Sequence, residues 1–179
     1  MKKITIVDYG SGNVLSAQKS FVKIAKDNNI EADVLISKKL NDVKNSTHIV
    51  LPGQGAFSTC MNGLKKTDGL IDELSEFALI KKKPFLGICV GMQMLANMSE
   101  ENGVHEGLGW IDGQIKLLQG DNLKLPHMGW NLAIPTNSKY NNLISNKNDY
   151  YFVHSYYFEC ADKDNILAET KYGTNFASI

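Results

Sequence analysis

Residues 84–95, PFLGICVGMQML, decide how the chain is read. An apolar, β-rich run stops at Gly87-Ile88-Cys89-Val90-Gly91, and an apolar segment with helical spacing starts at once. Strand, cysteine between two glycines, then helix is the layout of a nucleophile elbow. The turn is so sharp that side chains at 87 and 91 would collide with the neighbouring strand and helix. It lifts the sulfur of Cys89 clear of the C-terminal edge of a sheet. It also sets that sulfur at a helix N-terminus, where the dipole favours thiolate. The amide of Val90 then points where an oxyanion would form. Cys60 and Cys160 have no such setting and read as small buried hydrophobes.

Working outward, the elbow is the fourth strand of an α/β pattern. KITIVDYG, IEADVLI and THIVLPGQG read as the first three strands, apolar throughout. Between the first two, Val14, Ala17, Phe21, Ile24 and Ala25 recur at helical spacing. Residues 56–82 carry two helical patterns around Thr67-Asp68-Gly69, with Asp68 as the expected cap. Strands of this kind belong to a parallel sheet covered on both faces. LPGQG at 51–55 ends its strand at the same C-terminal edge, where open α/β sheets bind ligands. After residue 105 the segments become short, aromatic and β-branched, which reads as strands and hairpins. The expectation is one α/β domain over residues 1–179, with a mostly parallel mixed sheet, helices on both faces and a β-rich C-terminal half.

Several function classes are disfavoured. Lysine plus arginine and aspartate plus glutamate each number 19, so no electrostatic reason exists to expect nucleic acid or an anionic membrane. No apolar run approaches the roughly 18 residues that span a bilayer. In YGSGN the third position of a dinucleotide fingerprint is Leu15, too bulky for helix–strand packing there. No paired Cys/His spacing implies a metal.

A nucleophilic cysteine needs a base, most often histidine. His48 opens a strand at the wrong end, His105 lies in a polar loop, His127 sits in LPHMGW and His154 ends a strand. His154 is the best placed of the four by position, yet the residues alone leave the base unassigned.

GICVGMQ (87–93) resembles the nucleophile motif of class I, triad-type glutamine amidotransferases, and PGQGAF (52–57) resembles their oxyanion strand. DYGSGN, GLGWIDG, PHMGWN, YFVHSYYF and TKYGTNF stand in the order found in the amidotransferase subunits of imidazole glycerol phosphate synthases. The resemblance runs over essentially the whole chain. It implies hydrolysis of L-glutamine to glutamate and ammonia in the cytoplasm, without metal or cofactor. Ammonia would pass to a (β/α)8-barrel cyclase partner in a heterodimer. That partner would make imidazole glycerol phosphate and an aminoimidazole carboxamide ribotide. Cys89 matches the nucleophile, Gly53 and Val90 the oxyanion donors, and Gln93, Ser155 and Tyr156 the glutamine-holding positions. Trp130, with Tyr156, would line the approach to the partner. Two alternatives are the amidotransferase of a surface-sugar pathway and a non-catalytic docking paralogue. The family draws its base and orienting acid from an H-P-E motif near the C-terminus, and residues 1–179 contain none. The expectation is that the C-terminal end is lacking.

Overall fold

Strand β1 (Lys2–Val7) lies between β2 (Ala32–Ser37) and β3 (His48–Gly53), and β4 (Phe85–Cys89) flanks β3. All pairings in this order, β2-β1-β3-β4, are parallel. The computed structural model describes residues 1–136 and 148–179. Two compact units make up the chain, Met1–Leu95 and Ala96–Ile179, each described by itself below.

In the first unit the sheet alternates between two cores. Ile4, Ile6 and Val50 point to the side where Val14, Ala17 and Phe21 of helix α1 (Val14–Asp27) pack, together with Val34 and Ile36. Asn13 caps α1 by accepting the Ser16 N–H at 3.1 Å. On the opposite face, Ser46 beyond helix α2 (Leu40–Lys44) donates its hydroxyl to Thr5 at 2.6 Å. Helices α3 (Phe57–Lys65) and α4 (Leu70–Ser75) add the fully buried Phe57, Leu64, Leu70 and Leu74. Central strands β1 and β3 are buried, as parallel strands require.

Four expectations are corrected. The edge strand β2 alternates, with Asp33 and Leu35 turned outward, because an edge strand buries one face only. Leu86 and Ile88 of β4 share the α1 side of the sheet and remain exposed; α1 contacts β1 and β2. Asp68 is not the cap of α4. Gly69 holds that position at φ +73°, a left-handed conformation suited to glycine. Ile24, apolar and in phase on α1, is nonetheless exposed.

The second unit is an eight-stranded mixed sheet. Its strands are β5 (Met98–Ser99), β6 (His105–Glu106), β7 (Gly113–Leu117), β8 (His127–Pro135), β9 (Asn148–His154), β10 (Tyr156–Cys160), β11 (Ala168–Tyr172) and β12 (Thr174–Ala177). The order is β6-β5-β7-β10-β12-β11-β8-β9, with β5–β7 parallel and the other pairs antiparallel. Ile115, Ala133, Phe158, Ala168 and Phe176 are buried here. Among the described residues no helix is long and apolar enough to cross a membrane, and no group of His, Cys, Asp and Glu is arranged to hold a metal ion.

Candidate active site

Cys89 ends β4 at φ +56° and ψ −121°, and the one-turn helix α5 (Val90–Gln93) begins at the next residue. Positive φ at a residue bearing a Cβ is strained, and such strain gathers at functional turns. The surroundings explain why glycine flanks it. A Cβ at Gly87 would stand 2.7 Å from the nitrogen and Cα of Met92. One at Gly91 would overlap the Leu51 carbonyl oxygen. Helix and strand therefore close on the elbow from both sides, as expected of this turn.

Gly53 closes β3 directly opposite Cys89 in the parallel register. A Cβ there would run into the Gly91 nitrogen and lie 2.8 Å from the Val90 carbonyl carbon. Cys89, Gly53 and Val90 are thus gathered at one point of the sheet's C-terminal edge. Gln93 is buried three residues on, at the end of α5.

The loop after Gly53 is fastened from behind. The hydroxyl of Tyr9 donates to the Pro52 carbonyl at 2.6 Å, and that of Ser11 donates to the Gln54 carbonyl at 2.7 Å. Cys60, fully buried on α3, donates its thiol to the same Gln54 carbonyl at 3.4 Å and lies 3.2 Å from Ser11 Oγ. Burial, reinforced by the Cys60 sulfur, lifts the Tyr9 phenol far above its usual range, so it stays a neutral donor.

Burial also pushes the Cys89 thiol upward, and the Val90 N–H pulls the other way without prevailing. A four-residue helix has little dipole to add, so desolvation wins. That upward shift favours the thiol over the thiolate. Cys89 is nonetheless exposed, whereas Cys60 is buried and Cys160 has its thiol pushed up to about 11 by burial and by Asp162.

His48, the histidine of the first unit, is not arranged as a base for Cys89. His48 opens β3, about 16 Å along the strand from Gly53. Its Nδ1 lies 2.8 Å from the Thr47 hydroxyl. His105 is on β6 in the second unit. His127 Nδ1 and His154 Nε2 are 2.9 Å apart, and His154 Nδ1 lies 3.0 Å from the Tyr156 carbonyl. Both nitrogens of His154 are therefore engaged. Ser155 sits at the kink between β9 and β10, and Tyr156 begins β10. Trp130 on β8 is 73% exposed, so it is no core aromatic; its ring meets Tyr151 edge-on at 5.6 Å.

The sequence pattern described as "Glutamine amidotransferase class-I" matches residues 5–179. The chain belongs to the class-I glutamine amidotransferase family. It is 46% identical over 175 residues to "Imidazole glycerol phosphate synthase subunit HisH" of Pelagibacter ubique (strain HTCC1062), covering 96% of this chain and 83% of that protein. A protein of the same description from Rhodospirillum rubrum is 41% identical, over 96% of this chain and 82% of its own length. A solved glutamine amidotransferase superposes with a TM-score of 0.67 at 14% identity, over 98% of this chain and 88% of its own. One from Thermotoga maritima gives 0.58 at 17%, over 96% and 72%. At those identities the likeness concerns the fold alone.

Sequence reasoning about this amidotransferase missed Tyr9, Ser11 and Cys60 as supports of the 52–55 loop. Tyr9 and Ser11 were visible in YGSGN, where only the glycines drew attention. Cys60 carried no signal, because a buried thiol looks the same whether or not it donates a hydrogen bond.

Proposed function

We propose that this amidotransferase is the glutamine-hydrolysing subunit of an imidazole glycerol phosphate synthase, serving histidine biosynthesis. The observation that carries the reading is the 46% identity, over 96% of the chain, to a subunit of that description. The geometry at Cys89 supports the chemistry. Both units together then constitute one amidotransferase domain.

In this reading the Cys89 thiol loses its proton to a base and its sulfur attacks the side-chain amide carbon of glutamine. The carbonyl oxygen gains the displaced electron pair, and the N–H groups of Gly53 and Val90 stabilise it. The carbon–nitrogen bond then breaks, the nitrogen takes up a proton and ammonia leaves. A glutamyl thioester remains on Cys89. Water adds to it, the carbon–sulfur bond breaks, and glutamate departs as the thiol is restored. Gln93, Ser155 and Tyr156 hold the glutamine.

Ammonia passes to a cyclase partner of (β/α)8-barrel form. The outer face of the β8–β9 ribbon suits such a partner. Met128, Trp130, Leu132 and Ile134 alternate along β8, with Val153 and Tyr151 opposite Met128 and Trp130 on β9. All six are exposed, an apolar strip of the kind that marks protein contacts. A cytoplasmic setting fits, since Cys89 must persist as a free thiol and reducing compartments preserve thiols.

The test is glutamine-dependent against ammonium-dependent synthesis in the assembled synthase. Cys89→Ala should abolish the first and leave the second. Glutamine-dependent synthesis that survives Cys89→Ala would overturn the reading.

A further inference from the structure

A hydrogen-bond chain runs in one direction along the inner face of the β8–β9 ribbon. Asn131 Oδ1 accepts the Leu132 N–H at 2.8 Å, and Asn131 Nδ2 donates to the Lys171 carbonyl at 3.1 Å. These two bonds set the amide's orientation. Nδ2 therefore also faces His127 Nε2, at 3.2 Å, as donor. That nitrogen is bare, which puts the ring proton of His127 on Nδ1. His127 Nδ1 then donates to His154 Nε2 at 2.9 Å, which leaves the proton of His154 on Nδ1. His154 Nδ1 donates in turn to the Tyr156 carbonyl at 3.0 Å. Each link has one proton, and both imidazoles are neutral.

Aromatic packing keeps the chain in line. The His127 ring stacks on Tyr172, centroids 4.0 Å apart, and on Phe152 at 4.9 Å, while Phe176 meets both imidazoles edge-on. The last link spans Ser155, the residue that separates β9 from β10. From the other side, the Ser155 carbonyl accepts the Leu118 N–H at 2.9 Å.

We infer that His127 and His154 are positioning residues whose proton-ordered chain ties the Tyr156 backbone to β8 and so sets the Ser155–Tyr156 kink. The inference rests on the proposed function, in which Ser155 and Tyr156 hold glutamine. A further proton has no acceptor within the chain. On His127 Nε2 it would meet the Asn131 N–H, and on His154 Nε2 it would meet the His127 N–H. The titratable side chain stacked on His127 is Tyr172, on β11, whose hydroxyl donates to the Lys124 carbonyl at 2.7 Å. Among the described residues, the ionisable groups that β8 and β9 turn toward each ring are the two imidazoles themselves; β10 contributes the Tyr156 carbonyl and β12 the Phe176 ring. Acid therefore opens the chain.

Two measurements test this. In the full chain, nitrogen-detected imidazole spectra should show the Nδ1–H tautomer for both His127 and His154, with both rings titrating below the ordinary 6.5. An Nε2–H tautomer at either ring, or protonation at the ordinary value, would overturn the chain of bonds. The second compares His154→Phe, which keeps a ring and loses both hydrogen bonds, with His154→Asn, which retains a donor near the Nδ1 position. In the assembled enzyme His154→Phe should raise KM for glutamine about five- to tenfold and shift kcat less than about twofold, the effect of one lost hydrogen bond. It should also speed amide exchange at Leu118, leaving the β8–β9 ladder protected. His154→Asn should bring both readouts back toward the parent. Unchanged KM, or loss of protection throughout the ribbon in both variants, would overturn the positioning role. Failure of the unaltered enzyme to turn over glutamine would sink the proposed function alone, since tautomers and exchange still judge the chain.

Discussion

Gly53 stands opposite Cys89 across the β3–β4 register, with no space for a side chain between it and the Val90–Gly91 backbone. The close approach seats the Gly53 backbone directly against the Val90–Gly91 backbone of the elbow. It also makes the elbow intolerant of any added carbon. Gly91→Ala should destabilise the protein by about 2–4 kcal/mol, because a Cβ would overlap the backbone carbonyl of Leu51 and neither backbone has a rotamer to yield. Gly53→Ala should act likewise, and both should abolish turnover. Urea unfolding of the two variants is the check, and a change below about 1 kcal/mol would mean that the turn is more plastic than its packing indicates.

The three cysteines should separate sharply under alkylation. Cys89 is exposed, Cys60 is fully buried and the thiol of Cys160 is pushed up to about 11. An electrophilic glutamine analogue should label Cys89 and spare the other two. With plain iodoacetamide the rate at Cys89 should still be climbing beyond pH 9, since burial lifts its thiol above that ordinary value. Peptide mapping showing equal labelling of all three would refute the assignment.

Tyr9→Phe removes the donor that holds the Pro52 carbonyl from behind. The carbonyl then lies buried without that partner, and stability should fall by about 1–2 kcal/mol. If the 52–55 loop aligns an oxyanion donor, kcat should fall more than KM rises. A variant with parent kcat would show that Tyr9 supports the fold and nothing more.

Trp130→Ala should leave the isolated protein's stability within about 0.5 kcal/mol, since the ring is 73% exposed. Affinity for a barrel partner should drop by about 2 kcal/mol or more if the ring is an interface anchor. Titration calorimetry with the cyclase subunit measures the second quantity. Equal affinity in both proteins would remove the β8–β9 strip from the interface.

Stability should decline in mild acid. Burial holds His127 and His154 below the ordinary 6.5, and the His154 ring further disfavours charge on His127. His48 is lowered too, by burial and by Lys2. As pH falls through 6.5 the unfolded chain binds protons that the native state refuses. The slope of unfolding free energy against pH is therefore positive from 6.5 down to the folded-state values. Each such proton contributes at most about 1.4 kcal/mol per pH unit. Urea midpoints at about pH 7.5 and 5.5 should differ accordingly, and replacing His127 and His154 together should remove most of the difference. Identical midpoints in the parent protein would contradict the neutral pair.

Local chemistry explains what could be read from the residues alone. The parallel sheet was legible because β1, β3 and β4 are short apolar runs broken by glycine or proline. The elbow was legible because its glycines answer steric demands set within a few residues and one adjacent strand. Gly53 was named beside Cys89 through the family's motif, and the register then set the two side by side. Other features depend on contacts distant along the chain. The cap of α4 went to Gly69 because the backbone there takes a left-handed turn that the neighbouring Asp68 gave no sign of. The outward alternation of β2 follows from its edge position, which belongs to the sheet rather than to the strand. Tyr9 meets Pro52 across 43 residues, and His127 meets His154 across 27. Such pairs leave no periodicity to read, since only folding brings their polar atoms within bonding distance and desolvates them together.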